Sequence, residues 1–531
     1  MTKNNFILGD MSVIRGNGIK LLQDNYYWPV PDKEFTLFSE YMHDSYIELI
    51  RGITDEKLFN IAVVELTFIS NLVQIFHYNY VCEFSKDNNI NLLCGNDLKM
   101  YRNPDWHKLR YYYTDMEFPF GGVKRFIRKF IKNIIFNKHL SIVEIVKGFQ
   151  QKDTSISIGS MDVFKMEFIQ KKGIFFSHYD WIDFFKVKKI KNKKINNTDY
   201  DFIKKNVVDK FLSILESNNT LFIKNVNLKV IKDVWSDRFN DLLKLHENLH
   251  NFGDKIQILL VSDMAKPFNK VITTYFQNNN VSVFCFHHGN DACYSNQSLM
   301  HQATVSHCKN FVTPSNGIRD VYKKLYSNLP IEQRVGTKYI SLNSSYYNNL
   351  FSKYSNCSKS SIKKIMVMGF PLNSFRYNVE NNLFFYKTVD LEYRLISTLK
   401  KAGYHVTYKV HPDRLEEVDS IFNNMVDEYI VESFEKVWNK SDALIFTYTS
   451  TTTFGFALTT NLPIILIDSA KNNRNADEYR SMRGRVNILN AITDDSMRII
   501  FDQDELLNMI NKINNKNDSN FSYVDKIFGK K

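Results

Sequence analysis

Two stretches decide the fold: YKVHPDR, Tyr408 to Arg414, and SDALIFTYTSTTTFGFALTTNLPIILID, Ser441 to Asp468. Each holds or ends a short apolar segment, HVTYKV (405–410) and ALIF (443–446), that runs straight into a polar signature. The first signature is His411-Pro412; the second is the hydroxyl run from Thr447 to Thr453. A third apolar segment, PIILID (463–468), follows after room for one short helix. Buried strands alternating with helical segments predict an α/β chain with a parallel sheet. Ligands of such sheets sit beyond the carboxyl ends of the strands, where both signatures fall.

The residue types there suit an anion. Thr451, Thr452 and Thr453 are expected to open a helix running to Leu458, with Ser450 near its N-cap. Amides at a helix start, the dipole and added hydroxyls favour negative charge. Lys409 and His411 add donors or positive charge from the neighbouring strand end, and Pro412 fixes the turn so that the imidazole leaves the strand. A phosphate fits this chemistry. The same residues also read as β-favouring filler and a loop histidine with satisfied hydrogen bonds, and residue types alone leave both readings open.

With 531 residues the chain exceeds what one core usually supports, so two domains are expected. A hydrophobic content of 44% and an aromatic content of 14% argue for a globular chain and against disorder. Cys82, Cys94, Cys285, Cys293, Cys308 and Cys357 are scattered without a CxxC pair, which supports neither a zinc site nor a disulfide framework. The start, MTKNNFILGD, has no apolar h-region, and the most apolar run, Ile61 to Tyr78, carries Glu65, Asn71 and Gln74. The expectation is a reducing, cytoplasmic setting. A net charge of +12 invites nucleic acid or an anionic membrane. No nucleic-acid motif is evident, and the aromatics sit in apolar periodic segments rather than among Lys and Arg, so no nucleic-acid partner is expected.

Taken in order, Phe6 to Gly9 reads as a strand and turn, and 33–86 as helices with one buried face. Lys124 to Lys138 (KRFIRKFIKNIIFNK) places Phe126, Ile127, Phe130, Ile131, Ile134 and Ile135 on one helix face. Lys124, Arg125, Arg128, Lys129 and Lys132 fall largely on the other, which suits either an anionic bilayer surface or a solvated basic side. Lys186 to Lys194 forms a second basic cluster, read as a solvated loop. From Lys255 an α/β rhythm runs through IQILLVSD (256–263), VSVFCF (281–286) and KNFVTP (309–314), with Ser315 capping a helix. Residues 340–361 are polar and aperiodic and suit an interdomain linker. KKIMVMGFP (363–371) opens a second α/β unit. The expected domains are 1–350, with helical insertions over about 20–250, and 351–531.

At the end of VSVFCF stand His287-His288-Gly289. Gly289 permits a sharp turn and close ligand approach, and a neutral His288 could take a proton from an acceptor hydroxyl, with Asp291 to orient it. A buried structural histidine is the alternative. His287, His288 and His301 lack a carboxylate at ligand spacing, so no metal is expected.

Four short motifs in order resemble one family. His288-Gly289, the stretch Gly369-Phe370-Pro371-Leu372-Asn373-Ser374, Lys409-Val410-His411-Pro412 and Thr447-Tyr448-Thr449-Ser450-Thr451 resemble motifs of GT-B-fold transferases of bacterial surface polymers. These are the CDP-glycerol glycerophosphotransferases of teichoic acid synthesis, the bacterial polysialyltransferases and related surface-carbohydrate transferases. The resemblance spans roughly residues 255–470. It implies a GT-B fold, two Rossmann-like domains with a cleft between them, and helical additions in the N-terminal part. It implies His288 as catalytic base, with His411 also catalytic at the leaving group. Gly289, Lys409, Pro412, Thr449, Ser450, Thr451 and Thr452 would bind the donor. Tyr448 stands where the family has Asp, Gly455 where an acidic residue is usual, and Leu372 where Arg follows the proline. These departures favour sugar transfer over glycerophosphate transfer.

The implied function is a metal-independent, inverting glycosyltransferase that uses a nucleotide-activated sugar, CMP-linked in some relatives, to build a bacterial surface glycan. It needs no cofactor beyond that cosubstrate. A glycan or lipid-linked acceptor would be its other partner, presented at the inner face of the cell membrane. The alternatives are a CDP-glycerol-type polyol-phosphate transferase and an inactive GT-B scaffold.

Overall fold

The computed structural model describes residues 6–95, 122–150, 154–184, 197–287, 293–354, 361–371, 385–469, 474–514 and 520–529. The chain is mixed α/β, built on parallel sheets. β1 (Phe6–Leu8) and β2 (Asn91–Leu93) form a small parallel pair. A six-stranded sheet comprises β3 (Ser155–Ile158), β4 (Ser177–Tyr179), β5 (Ile258–Val261), β6 (Ser282–Phe286), β7 (Asn310–Thr313) and β8 (Lys338–Ser341). Its order is β4-β3-β5-β6-β7-β8, and every pairing is parallel.

The second sheet comprises β9 (Lys364–Met368), β10 (His405–Lys409), β11 (Glu428–Ile430), β12 (Ala443–Phe446), β13 (Ile464–Asp468), β14 (Val486–Thr493) and β15 (Ile499–Phe501). The order is β11-β10-β9-β12-β13-β14-β15, parallel except for β15 on β14. ALIF and IILID are buried at every position, the continuous apolar pattern of strands covered on both faces. Strand order reverses between β9 and β12, and in the first sheet between β3 and β5. A reversal of this kind opens a crevice at the strands' carboxyl ends.

The helices expected over 33–86 are Asp32–Arg51, Glu56–Val64 and Leu66–Asp87. The apolar stretch Glu56–Asp87 is the one described segment long and apolar enough to cross a membrane, and its most apolar 18 residues are all buried within the protein. At its break, Glu65 receives two hydrogen bonds from Arg238, of 2.7 and 2.9 Å, so the buried carboxylate is paired. The region expected as helical additions also supplies β3 and β4, whose short runs SISI and SHY carried no clear period. The 340–361 stretch is more ordered than its polarity predicts. It completes β8 and forms the helix Tyr346–Tyr354, anchored by Tyr347 stacking on Phe528 at 4.2 Å. The basic cluster Lys186 to Lys194 lies outside the described residues.

A division at 350/351 separates the two sheets, but both chain ends cross it. Near the start, the Trp28 amide donates to Ser496 O (3.1 Å), and Gln23 Nε2 donates to the Asp390 carboxylate (2.8 Å). At the other end, helix Ser522–Phe528 packs on helix Asn316–Tyr326 of the first unit. Gly317 is required there, because a Cβ would overlap the carbonyl oxygens of Lys526 and Ile527. Replacing Gly317 by Ala is expected to cost about 1–3 kcal/mol through overpacking, read from urea unfolding. An unchanged midpoint would contradict this packing.

Burial also makes the fold sensitive to acid. His43 is fully buried, with Nδ1 2.8 Å from Ser39 O and Nε2 3.0 Å from the Ser70 hydroxyl. Burial lowers its pKa to about 4. Between pH 6.5 and 4 the unfolded chain therefore binds a proton the folded chain refuses, and stability rises with pH across that window. Acidification should cost about 3 kcal/mol at this site, and His43→Gln should flatten that part of the pH–stability curve. A curve with the same slope in both proteins would contradict the assignment.

Candidate functional site

A cavity of about 830 Å³ lies between the carboxyl ends of the two sheets. The first sheet contributes Asp263, Met264 and Lys266 after β5, His287 after β6, and Gln297, Met300, His301 and Thr304 around the helix Ser298–Val305. The second contributes Met368, Gly369 and Pro371 at the end of β9, Lys409 to Asp413 at the end of β10, and Ser450 to Thr453 after β12. Both polar signatures therefore open into one space. In the second sheet that space sits at the β9–β12 reversal.

Local packing explains how each group is aimed. The His411 ring Nδ1 accepts the Asp413 N–H at 3.3 Å, which fixes the turn after β10. With Nδ1 accepting, the proton of the neutral ring sits on Nε2. Arg414 of the same turn is wholly buried and donates to both oxygens of Glu392, at 3.0 and 3.1 Å. Glu392 in turn accepts the Phe370 N–H (2.6 Å) and the Tyr408 hydroxyl (3.0 Å). One buried ion pair thus ties the end of β9 to the end of β10. Gly369 allows the close approach, since a Cβ there would lie 2.7 Å from the Tyr408 hydroxyl and 3.1 Å from Lys409 O.

Lys409 is mostly buried, and its Nζ donates to Val410 O at 2.6 Å. Burial lowers its pKa, opposed by the carboxylates of Glu435 and Glu432. The expected helix runs Thr452–Leu458, and its N-cap is Thr451 rather than Ser450. The Thr451 hydroxyl accepts the Phe454 N–H at 3.0 Å, so one of the amides expected to face an anion is already satisfied. Thr452 lines the cavity, as do Pro412 and Ser450. Thr449 does not; it is buried with its hydroxyl 3.4 Å from that of Ser295.

That contact belongs to a bridge across the cleft. The Ser450 hydroxyl accepts from Gln297 Nε2. Asp468, buried at the end of β13, accepts the Tyr294 hydroxyl at 2.8 Å and is paired with Arg474. Arg474 also donates to the Ser295 hydroxyl (2.7 Å), and the Asn475 N–H donates to Tyr294 O (3.0 Å). Burial, with Asp468 adding to it, raises the Tyr294 pKa, so the phenol stays a donor.

His288 and Gly289, together with Asp291, lie outside the described residues, as do Leu372, Asn373 and Ser374. The neighbouring His287 is buried, its amide donates to Val312 O (2.9 Å), and its Nε2 lies 2.8 Å from the Tyr322 hydroxyl. His301 is also buried, stacked on Tyr326 at 3.9 Å and 3.2 Å from Glu332. Burial lowers its pKa against the pull of Glu332, which fits a wall residue.

Sequence reasoning assigned no role to Arg414, Glu392, Gln297 or the Asp468–Arg474 pair. Only Arg414 carried a signal, as the charged end of the quoted HPDR turn. Among the described residues, folding also assembles two groups of metal-ligating side chains. Cys285, His307 and Cys308 meet in the first core. His246-Glu247-Asn248-Leu249-His250 forms an HExxH run at the end of helix Leu228–Leu249, a pattern that had not been singled out. Its carboxylate holds the Lys57 ammonium at 2.5 Å, shared with Asp199 at 2.8 Å, so that carboxylate already has a cationic partner.

In comparison with known proteins, no protein-family model matches the chain and no curated protein sequence matches it. The chemistry of this cleft therefore rests on its own residues.

Removing one partner of a buried ion pair strands the other. Glu392→Ala should lower stability by about 3–5 kcal/mol in chemical denaturation, and Glu392→Ala with Arg414→Met should recover much of it. Equal losses in the single and double variants would contradict the pairing.

Proposed function

We propose that this protein is a GT-B-type glycosyltransferase that transfers a sugar from a nucleotide donor in the cleft between its two sheets. The observation that carries this reading is that Lys409, His411, Ser450 and Thr452 line the same cavity as residues after β5 and β6 of the other sheet. The strand order of the second sheet, reversed between β9 and β12, is that of dinucleotide- and nucleotide-binding sheets, which supports placing the donor there.

The donor's phosphates would rest near His411 and the Ser450–Thr452 turn, and the acceptor would enter from the first sheet. The acceptor oxygen attacks the anomeric carbon, the bond from that carbon to the phosphate oxygen breaks, and the phosphate leaves with the electron pair. The Nε2–H of His411 is suited to donate to the leaving oxygen, a role a metal plays in other transferases. By resemblance, His288 takes the acceptor's proton; the residue before it in the sequence, His287, lines the cavity. The bridge from Gln297 and Tyr294 to Ser450 and Asp468 supports a closed site that excludes water and so limits donor hydrolysis.

A thermal-shift series with CMP, CDP, UDP and GDP tests the reading, since a ligand held by the native state raises the melting temperature. One of the four should do so, and His411→Ala should abolish the shift and slow transfer by roughly 10²–10⁴-fold without unfolding the protein. EDTA should leave the rate unchanged. Failure of all four nucleotides, or full activity in His411→Ala, would overturn the proposal. A phosphodiester product would reassign it to polyol-phosphate transfer.

A further inference from the structure

Helix Gly122–Phe136 packs against β4, the edge strand of the first sheet, with its polar side inward. Asn133 and Asn137 are buried and accept the amides of His178 and Phe176 at 2.6 and 2.8 Å. Lys129 sits 3.6 Å over the Tyr179 ring and 3.7 Å from Asp183, and Lys132 lies 3.6 Å from Asp180. The apolar side therefore faces outward. Ile127, Phe130, Ile131, Ile134 and Ile135 stand between 39% and 51% exposed.

The next helix, Ile142–Gln150, extends that surface with Ile142, 81% exposed, and with Val143, Val146 and Phe149. Phe149 stacks on Phe130 at 5.2 Å, which joins the two helices into one ridge. Nine of the fifteen large apolar side chains exposed among the described residues fall on this ridge, so it is a patch and not the usual scatter.

Its charge selects the occupant. Residues 122–150 carry Lys124, Arg125, Arg128, Lys129, Lys132, Lys138 and Lys147 against the single carboxylate Glu144. That excess of six is half of the chain's net +12. An apolar ridge in a segment with this basic excess, where Lys129 and Lys132 turn inward and Lys138 and Lys147 are exposed, matches the interface of an anionic bilayer, with isoleucine and phenylalanine entering the acyl boundary and exposed lysine reaching the headgroups. We propose that the ridge of helices Gly122–Phe136 and Ile142–Gln150 seats the protein on an anionic lipid surface. The inference stands on the ridge alone and does not depend on the chemistry of the cleft.

Flotation of the full chain with phosphatidylglycerol-containing and pure phosphatidylcholine vesicles is the test. The protein should float with the anionic vesicles about tenfold more than with the neutral ones, and high salt should weaken the binding. Ile131→Glu with Ile135→Glu, and separately Ile142→Glu with Val143→Glu, should each abolish flotation while keeping the wild-type unfolding midpoint. Ile492→Glu, at an exposed site on β14, should float like wild type. The proposal is overturned if wild type stays unbound to anionic vesicles, binds both kinds equally, or floats unchanged with either ridge pair replaced. It is also overturned if light scattering shows a dimer that the ridge substitutions dissociate, because a second copy would then be the occupant.

Discussion

The buried carboxylate of Asp468 is the constraint on which the cleft depends. It ends a strand that is apolar at every other position, where an unpaired charge would be costly. Its partners are Arg474 from its own unit and the Tyr294 hydroxyl from the other. Satisfying this one group therefore pulls the carboxyl end of the second sheet toward the first. The Ser295–Thr449 and Gln297–Ser450 contacts lie along the same seam. Two open α/β sheets would otherwise present separate crevices; held this way, they face one cavity.

The groups inside the cavity are positioned by a second buried pair. Arg414 and Glu392 lie beneath the His411 turn, and Glu392 also takes the amide that ends β9. The visible polar residues of the motif sit on the surface of this arrangement, while the residues that hold them are invisible from the cleft. The crossing chain ends add to this rigidity. A helix from the last residues packs on the first unit, and the first thirty residues bond to the second.

Four strands of the second sheet, β9, β10, β12 and β13, were legible in the sequence because they are apolar runs bounded by turn residues, as in KIMVM, ALIF and IILID. The long helices over 33–86 were legible for a different reason, the length of their apolar period. β2, β3, β4, β8, β11 and β15 were missed because three or four residues carry no measurable period, and the eight-residue β14 because its buried and exposed positions do not alternate regularly. The helix Tyr346–Tyr354 was missed because a tertiary contact, Tyr347 on Phe528, stabilises a stretch whose composition reads as a linker. Of the site, His411, Lys409 and the Ser/Thr turn were legible from their place after apolar runs. Gln297, Glu392 and Asp468 acquire meaning only from partners far away in the chain, which no local pattern reports. The amphipathic helix after Gly122 was recognised, but its orientation was not, because the edge strand it meets offers backbone amides that asparagine satisfies and isoleucine cannot.

The proposed nucleotide, held on the second sheet, would lie in a cavity whose other wall is the first sheet, and amide hydrogen exchange with and without the nucleotide tests this most directly. The account predicts slowed exchange in two separate places, the turns at 409–414 and 447–454 on one side and the segments at 263–267 and 297–304 on the other. Protection confined to one sheet, or to surfaces away from the cavity, would contradict it.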